Sequence, residues 1–206
     1  MSRRGKKITV TTVVKETPSP SGSDEINYRG EMKNGKKEGK GIYETKGHTY
    51  KGEFKNNKYD GIGKKFFVYG MFHQGEFKKG DLNGIVFSKE ISYDVERSYD
   101  FEIFYEGEYK KGQMDGIGTL IGNGERYEGE FKKGKKHGIG IYYMRDGERY
   151  EGQFVDGRIE GKGIYYYKNG DRYEGHFDLN KKNGKGIMYK KNGKSYEVEF
   201  MNDEEI

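Results

Sequence analysis

From residue 28 onward the chain alternates with a short period. In Tyr127-Glu128-Gly129-Glu130-Phe131, aromatic and glycine positions fall at every second residue with carboxylates between them, which is the period of a β-strand. A lysine-rich gap follows, then Gly138-Ile139-Gly140. The first half of this phrase recurs at Tyr28–Met32, Tyr50–Phe54, His73–Phe77, Tyr105–Tyr109, Tyr127–Phe131, Tyr150–Phe154, Tyr173–Phe177 and Tyr196–Phe200. Steps between the first positions are 22, 23, 32, 22, 23, 23 and 23 residues, so there are eight units, one carrying about nine extra residues. Self-similarity at this period marks a repeat architecture.

Alternation puts Tyr127, Gly129 and Phe131 on one face and Glu128 and Glu130 on the other. If the six residues between Phe131 and Gly138 form a hairpin loop, then Phe131, Gly129 and Tyr127 lie opposite Gly138, Gly140 and Tyr142. Glycine weakens a strand interior, so its repetition is expected where a ring from a neighbouring strand lies against bare backbone. The predicted ladder includes Tyr50, Gly52, Phe54, Tyr127, Gly129, Phe131, Gly138, Gly140, Tyr150 and Tyr173. The distance from the Phe position to the first glycine of the pair is seven residues in every complete unit. The return distance is nine or ten in most units but 19 from Val86 to Tyr105, so insertions collect on one edge. Two strands per unit at ~4.8 Å spacing give a ribbon of roughly 75 Å.

Tyr-x-Gly-x-Phe followed by Gly-x-Gly at this period resembles the MORN (membrane occupation and recognition nexus) repeat family over residues 28–200. The resemblance implies an all-β fold, an elongated single-layer twisted antiparallel sheet of about eight stacked β-hairpins. It also implies a non-enzymatic scaffold or interaction module, as in ciliary radial spoke heads, apicomplexan cytoskeletal structures and membrane-contact proteins. Kinase or methyltransferase domains accompany the repeats in other members, and nothing in these 206 residues resembles either.

Composition changes the picture little. Hydrophobic residues are 31%, charged residues 35% and glycines 34 in number, too polar for a thick two-layer core and close to the signature of disorder. The 19 Tyr and 12 Phe argue against disorder, because they recur in register and each carries a large buriable area. A net charge of +5 spread over so many charges does not point to nucleic acid. Lack of cysteine excludes disulfides and thiolate metal sites. The expected setting is cytoplasmic or cytoskeletal, with the cilium or flagellar axoneme as the specific expectation from the resemblance.

Catalytic signals are nearly absent. His48, His73, His137 and His176 occupy different repeat positions and have no ligand spacing, and the Gly-x-Gly pairs lack the dinucleotide fingerprint. No catalytic residue, metal or cofactor is predicted. Lysines crowd the constant edge, with Lys132, Lys133, Lys135 and Lys136 the densest group. They read either as solubilising turns or as a contact for an anionic partner such as acidic phospholipid.

Departures from the phrase carry more information than the phrase. Between the paired glycines stand Lys40, Ile62, Ile85, Ile117, Ile139, Lys162 and Lys185, an apolar column through the middle units on the face away from the rings. After the Tyr position come Arg29, Lys51, Gln74, Glu106, Glu128, Glu151, Glu174 and Glu197, a change from basic to acidic. Unit three is irregular, because His73 replaces Tyr and Val86 replaces Gly. It is preceded by Phe66-Phe67-Val68-Tyr69-Gly70-Met71-Phe72 and followed by an insertion, 88–104, in which Ile91, Tyr93 and Val95 alternate as in an extended hairpin. Exposed apolar patches mark partner contacts, so these residues form the predicted protein-binding site, against repeat drift as the alternative.

Residues 1–26 read as a tail and linker, with Ile8–Val14 able to add as a strand, and 27–200 as the ribbon. At the C-terminus Tyr196–Phe200 loses its glycine and lacks a visible return strand, so Val198 and the acidic tail 201–206 read as an edge cap. Pairing of that edge with a second copy or a neighbouring protein is the competing reading. The function predicted is a scaffold in a large cytoskeletal, axonemal assembly. A peripheral membrane module is the runner-up, and a regulatory subunit of an enzyme is third.

Overall fold

A computed structural model describes residues 27–94 and 99–206; residues 1–26 and Val95 lie outside them, so the expectations for the tail and for that valine are left there. Among the described residues one antiparallel sheet of sixteen strands runs in sequence order. Its first half comprises β1 (Asn27–Lys33), β2 (Lys36–Glu44), β3 (His48–Lys55), β4 (Lys58–Phe67), β5 (Phe72–Lys78), β6 (Asp81–Asp94), β7 (Tyr99–Lys110) and β8 (Gln113–Gly122). The second comprises β9 (Glu125–Lys132), β10 (Lys135–Tyr143), β11 (Arg149–Val155), β12 (Arg158–Tyr166), β13 (Arg172–Asp178), β14 (Lys181–Tyr189), β15 (Ser195–Met201) and β16 (Glu204–Glu205). Each unit is a hairpin of an odd strand and the following even strand.

The hairpin loop is two residues long, not six. Lys132 pairs with Lys135 and Phe131 with Lys136, leaving Lys133 (φ 51°) and Gly134 (φ 82°) as the turn. Positive φ at both central residues defines the type I′ turn, whose twist matches that of the flanking strands. The polar run Lys132–Lys136 looks like a loop in sequence because its outer lysines are strand ends with exposed side chains. The same geometry recurs down to Asn202 (φ 54°) and Asp203 (φ 73°), which return the chain into β16. A return strand therefore exists where none was visible, two residues long within the stretch read as an acidic tail.

A shorter turn shifts the register. Tyr127 faces Tyr142 and Gly129 faces Gly140 as expected, but Phe131 faces Lys136 instead of Gly138. The ladder skips between His137 and Gly140, so β10 bulges there, and Gly138 faces Phe154 of the next unit. Gly138 has φ +59°, and a Cβ there would run into the Glu130 carboxylate. That carboxylate accepts the Ile139 N–H at 2.9 Å and closes the bulge. Equivalent bonds join Glu31 to the Lys40 N–H, Glu53 to Ile62, Glu108 to Ile117 and Gln153 to Lys162, each at 3.1 Å. These side chains, which alternation places on the face away from the rings, are backbone caps.

On the other face the rings form the core. Tyr127 is 1% exposed, meets Phe131 edge-on at 5.1 Å and Phe154 of the next unit at 5.0 Å; T-shaped contacts suit the ring quadrupoles. Its hydroxyl donates to the Glu130 carbonyl at 2.9 Å. Its ring covers the glycine pair, where a Cβ on Gly140 would lie 2.6 Å from Cζ. The zigzag continues through Tyr150–Phe177 and Tyr173–Phe200 and, at the other end, Tyr28–Phe54 and Tyr50–Phe77.

Unit three keeps the volume while changing the residues. His73 leaves the ring site, and Val86, fully buried, places Cγ2 3.1 Å from where a Gly75 Cβ would stand. The regular hairpin survives there, because the valine fills the space that a tyrosine ring takes elsewhere. Ser88, 2% exposed, hydrogen-bonds Tyr109.

Along the turn edge each hairpin is tied to its predecessor. Gly134 N–H donates to the Met114 carbonyl and Gly157 N–H to that of Lys136, both at 2.8 Å, and Asp203 N–H to that of Lys182 at 3.0 Å. This fixes the constant seven-residue spacing. The opposite edge is tied through side chains instead, as where Asp171 accepts the Lys191 N–H at 2.9 Å and Arg145 donates to the Asn123 carbonyl, and it carries the variable loops, including the 3₁₀ turn Val68–Gly70 and the long β6–β7 hairpin.

Candidate interaction surface

The face opposite the rings is open, and strand register sorts its side chains into three rows. The row nearest the turns contains Ile62, Ile85, Ile117 and Ile139, which are 63%, 65%, 59% and 59% exposed. Their strands pair them with Glu76, Glu108, Glu130 and Gln153. The predicted apolar column is therefore placed on the open face.

The middle row runs Arg29, Ile42, Lys51, Lys64, Gln74, Phe87, Glu106, Thr119 and Glu128, then alternates Ile141, Glu151, Ile164, Glu174, Ile187 and Glu197. Between these two rows the floor is glycine backbone. A furrow of about 650 Å³ opens there over Gly41, Gly52 and Gly63, walled by Lys40, Ile42, Lys51, Glu53, Ile62 and Lys64. A second, about 380 Å³, lies over Gly152, Gly163 and Gly175.

The third row, nearest the variable edge, holds the aromatic patch and a ladder that sequence reading missed. Phe66 pairs with Phe72; Phe72 lies 5.5 Å from Phe87, and Phe87 stacks on Phe104 at 6.4 Å. Lys64 Nζ sits 4.1 Å over the Phe72 ring. Beyond Ile121 the row becomes Arg126, Tyr143, Arg149, Tyr166, Arg172 and Tyr189, one after another across six strands. Arg149 lies 4.1 Å over Tyr166 and Arg172 4.0 Å over Tyr189, while Arg126 and Arg149 also pair with Glu128 and Glu151. The signal was available: the residue before each repeat tyrosine faces away from the rings, and in units five to seven it is arginine.

The irregular loop splits between faces. Phe66 (42% exposed) and Phe72 belong to the open face, but Phe67 packs 4.9 Å from His73 on the ring side. Val68 and Tyr69 project at the tip, Tyr69 86% exposed and left-handed at φ 60°. Met71 and Ile91 are half-buried, and Tyr93 lies within β6.

Lys132, Lys133 and Lys135 are exposed on the turn edge. Lys136 is not with them. Its ammonium lies 3.5 Å over Tyr142 and 5.3 Å over Tyr127, and burial pushes its pKa down to about 8 against the Glu125 carboxylate, which acts the other way. Lys37 takes the same position over Tyr43 at 3.4 Å, and Lys182 donates to the Tyr167 hydroxyl at 2.8 Å.

Two of the histidines serve local packing. His48 Nε2 lies 2.8 Å from the Tyr59 hydroxyl, and burial, aided by Lys65, lowers its pKa. His73 meets Glu90 at 3.3 Å, and that hydrogen bond lowers the Glu90 pKa. Among the described residues no three His, Asp or Glu side chains gather as a metal site.

Tandem hairpins on a ring-and-glycine core, with one open face and a stitched turn edge, define a linear β-repeat interaction protein. The MORN repeat family profile matches residues 28–47, 50–72, 105–126, 127–149, 150–172 and 173–195. The chain belongs to the MORN repeat family, whose repeats are non-enzymatic modules that bind proteins or membranes. Unit three and the last hairpin, the two that lost a glycine, fall outside the six matched repeats. No curated protein matches the chain.

Proposed function

We propose that the chain is a scaffold joining components of a cytoskeletal assembly, specifically the radial spoke head of an axoneme, through its open face. The observation that carries the protein-binding part is the run of exposed apolar side chains in units two to five. There Ile62, Ile85, Ile117 and Ile139 line the row nearest the turns and Phe66 and Phe72 the row nearest the variable edge, with Phe87 in the middle row between them. Exposed patches of this kind mark partner surfaces, and this one lies on a scaffold whose stability comes from the other face. The cytoskeletal and ciliary parts rest on the family resemblance and the linear shape.

The test is proximity labelling in ciliated cells with the wild-type chain and with Phe66→Ser/Phe72→Ser/Phe87→Ser. Axonemal neighbours should appear with the former and drop out with the latter, while circular dichroism stays unchanged. Neighbours retained by a folded variant would refute the surface, and an absence of axonemal neighbours would refute the setting.

A second reading is favoured by the turn edge, where Lys78, Lys79, Lys110, Lys111, Lys132, Lys133 and Lys135 all stand exposed. On this reading the edge holds acidic phospholipid headgroups. Co-sedimentation with anionic vesicles, weakening as salt rises and lost on reversing Lys132, Lys133 and Lys135 to glutamate, would support it over the scaffold alone.

A further inference from the structure

The long β6–β7 hairpin alters the ring side as well as the edge. Its β7 strand adds Phe101 and Ile103 beside Leu120 and Gly122, and together with Glu125 and Tyr142 they enclose a recess of about 200 Å³ with Lys136 in its wall. The recess exists because Leu120 stands where Tyr43, Tyr142 and Tyr165 stand in other units, facing Tyr105 on one side and Tyr127 on the other. We propose that Lys136 is an acylation site, its amine attacking a short-chain acyl thioester whose apolar chain enters the recess walled by Phe101, Ile103 and Leu120.

In the reaction the Lys136 Nζ lone pair adds to the thioester carbonyl carbon. The C–S bond breaks, the thiol leaves, and the proton lost by nitrogen balances the one the thiolate takes up. Product is an amide, with no change of oxidation state. Room for a few methylenes distinguishes this lysine from its counterparts. Lys37 has no such insertion beside it, and Lys182 is committed to Tyr167 and, at 3.8 Å, to Asp203.

Burial also favours the reactive form. A lysine titrating at about 8 holds about 200 times more free amine near neutral pH than one at the ordinary value of ~10.4. Its lower basicity weakens each attack, and activation of a desolvated lysine is the net result. The groups facing the ammonium are Glu125, Tyr127 and Tyr142, with Arg126 at the recess margin.

The test treats the whole chain with limiting N-hydroxysuccinimidyl acetate and hexanoate near neutral pH and measures each lysine by peptide mass spectrometry. Lys136 should react about tenfold faster than Lys132 and Lys133, and the advantage should vanish above about pH 10, where exposed lysines also lose their protons. Leu120→Tyr, which restores the repeat residue and fills the recess, should lower the Lys136 rate while leaving Lys133 unchanged. Ile103→Ala should raise hexanoylation relative to acetylation. Equal rates for Lys136 and Lys133 in the wild-type chain would overturn the proposal. So would a Lys136 rate and acyl preference untouched by either folded variant.

Discussion

Unit three already contains a natural experiment that unit five can repeat. There the ring-and-glycine pair has become His73 and Val86 without loss of the hairpin, and the equivalent pair in unit five is Tyr127 and Gly140. Gly140→Val alone places a side chain where the Tyr127 ring lies. Its Cβ would be 2.6 Å from Cζ, against an ordinary carbon contact of about 3.5–4.0 Å. The ring, 1% exposed, must move by about 1 Å or leave its site, at a cost near the upper end of the ~1–3 kcal/mol typical of overpacking. Tyr127→His alone loses edge-on contacts with Phe131 and Phe154 and the hydroxyl bond to Glu130. At about 0.5–1.5 kcal/mol per ring pair and about 1 kcal/mol for the hydrogen bond, with the lost burial added, this single change also costs about 3 kcal/mol. Independent effects would sum to about 6 kcal/mol. In the double variant the valine occupies the vacated ring volume, so the cost should fall short of the sum by about 1–3 kcal/mol. Urea unfolding followed by circular dichroism gives the cycle, and hydrogen exchange at the Ile139 amide shows whether the effect is local. A double variant within about 0.5 kcal/mol of the sum would refute the idea that Val86 stands in for a ring.

Two further outcomes are expected. Glu130→Ala strips the acceptor from the Ile139 N–H and should cost about 1–2 kcal/mol, whereas Glu130→Gln should be nearly neutral, as Gln153 already does the same work; equal effects in urea unfolding would contradict the capping role. Burial pushes the Tyr127 and Tyr150 hydroxyls up to about 12 from an ordinary 10.0. A phenol raised in the folded state contributes stability that is complete below about pH 10 and is lost as pH climbs to about 12. Phenolate absorbance should therefore show these tyrosines titrating late and together with alkaline unfolding, and a single transition near 10 for all 19 tyrosines would contradict the packing.

Much of this architecture was legible in the chain because the repeat is exact where packing is tight. Tyr127, Gly129 and Gly140 take the positions that alternation assigns them, since a ring over two bare backbones tolerates no other residue. The turn was misread because Lys132–Lys136 is uniformly polar, and polarity does not distinguish a loop from exposed strand ends; Gly134 was the better guide. The bulge at His137–Gly140 depends on a positive φ that spacing does not show, which is why the Glu130 cap stayed hidden and Phe131 was set against the wrong glycine. Lys136 was grouped with its exposed neighbours because one-residue alternation through a short turn reverses the face. The arginine and tyrosine row stayed hidden because its members belong to different strands and meet only once the register is known.

Among the described residues the zigzag of rings breaks between unit three and unit four, where the Tyr–Phe contact of the other junctions has no counterpart between His73 and Tyr109. That is the junction spanned by β6 and β7, which pair at eleven positions where a regular junction such as β10–β11 pairs at six. The insertion is therefore a splint. Main-chain hydrogen bonds of the lengthened hairpin add to the junction at which the ring-to-ring contact is missing, so trimming the insertion to repeat length should loosen this junction more than any other.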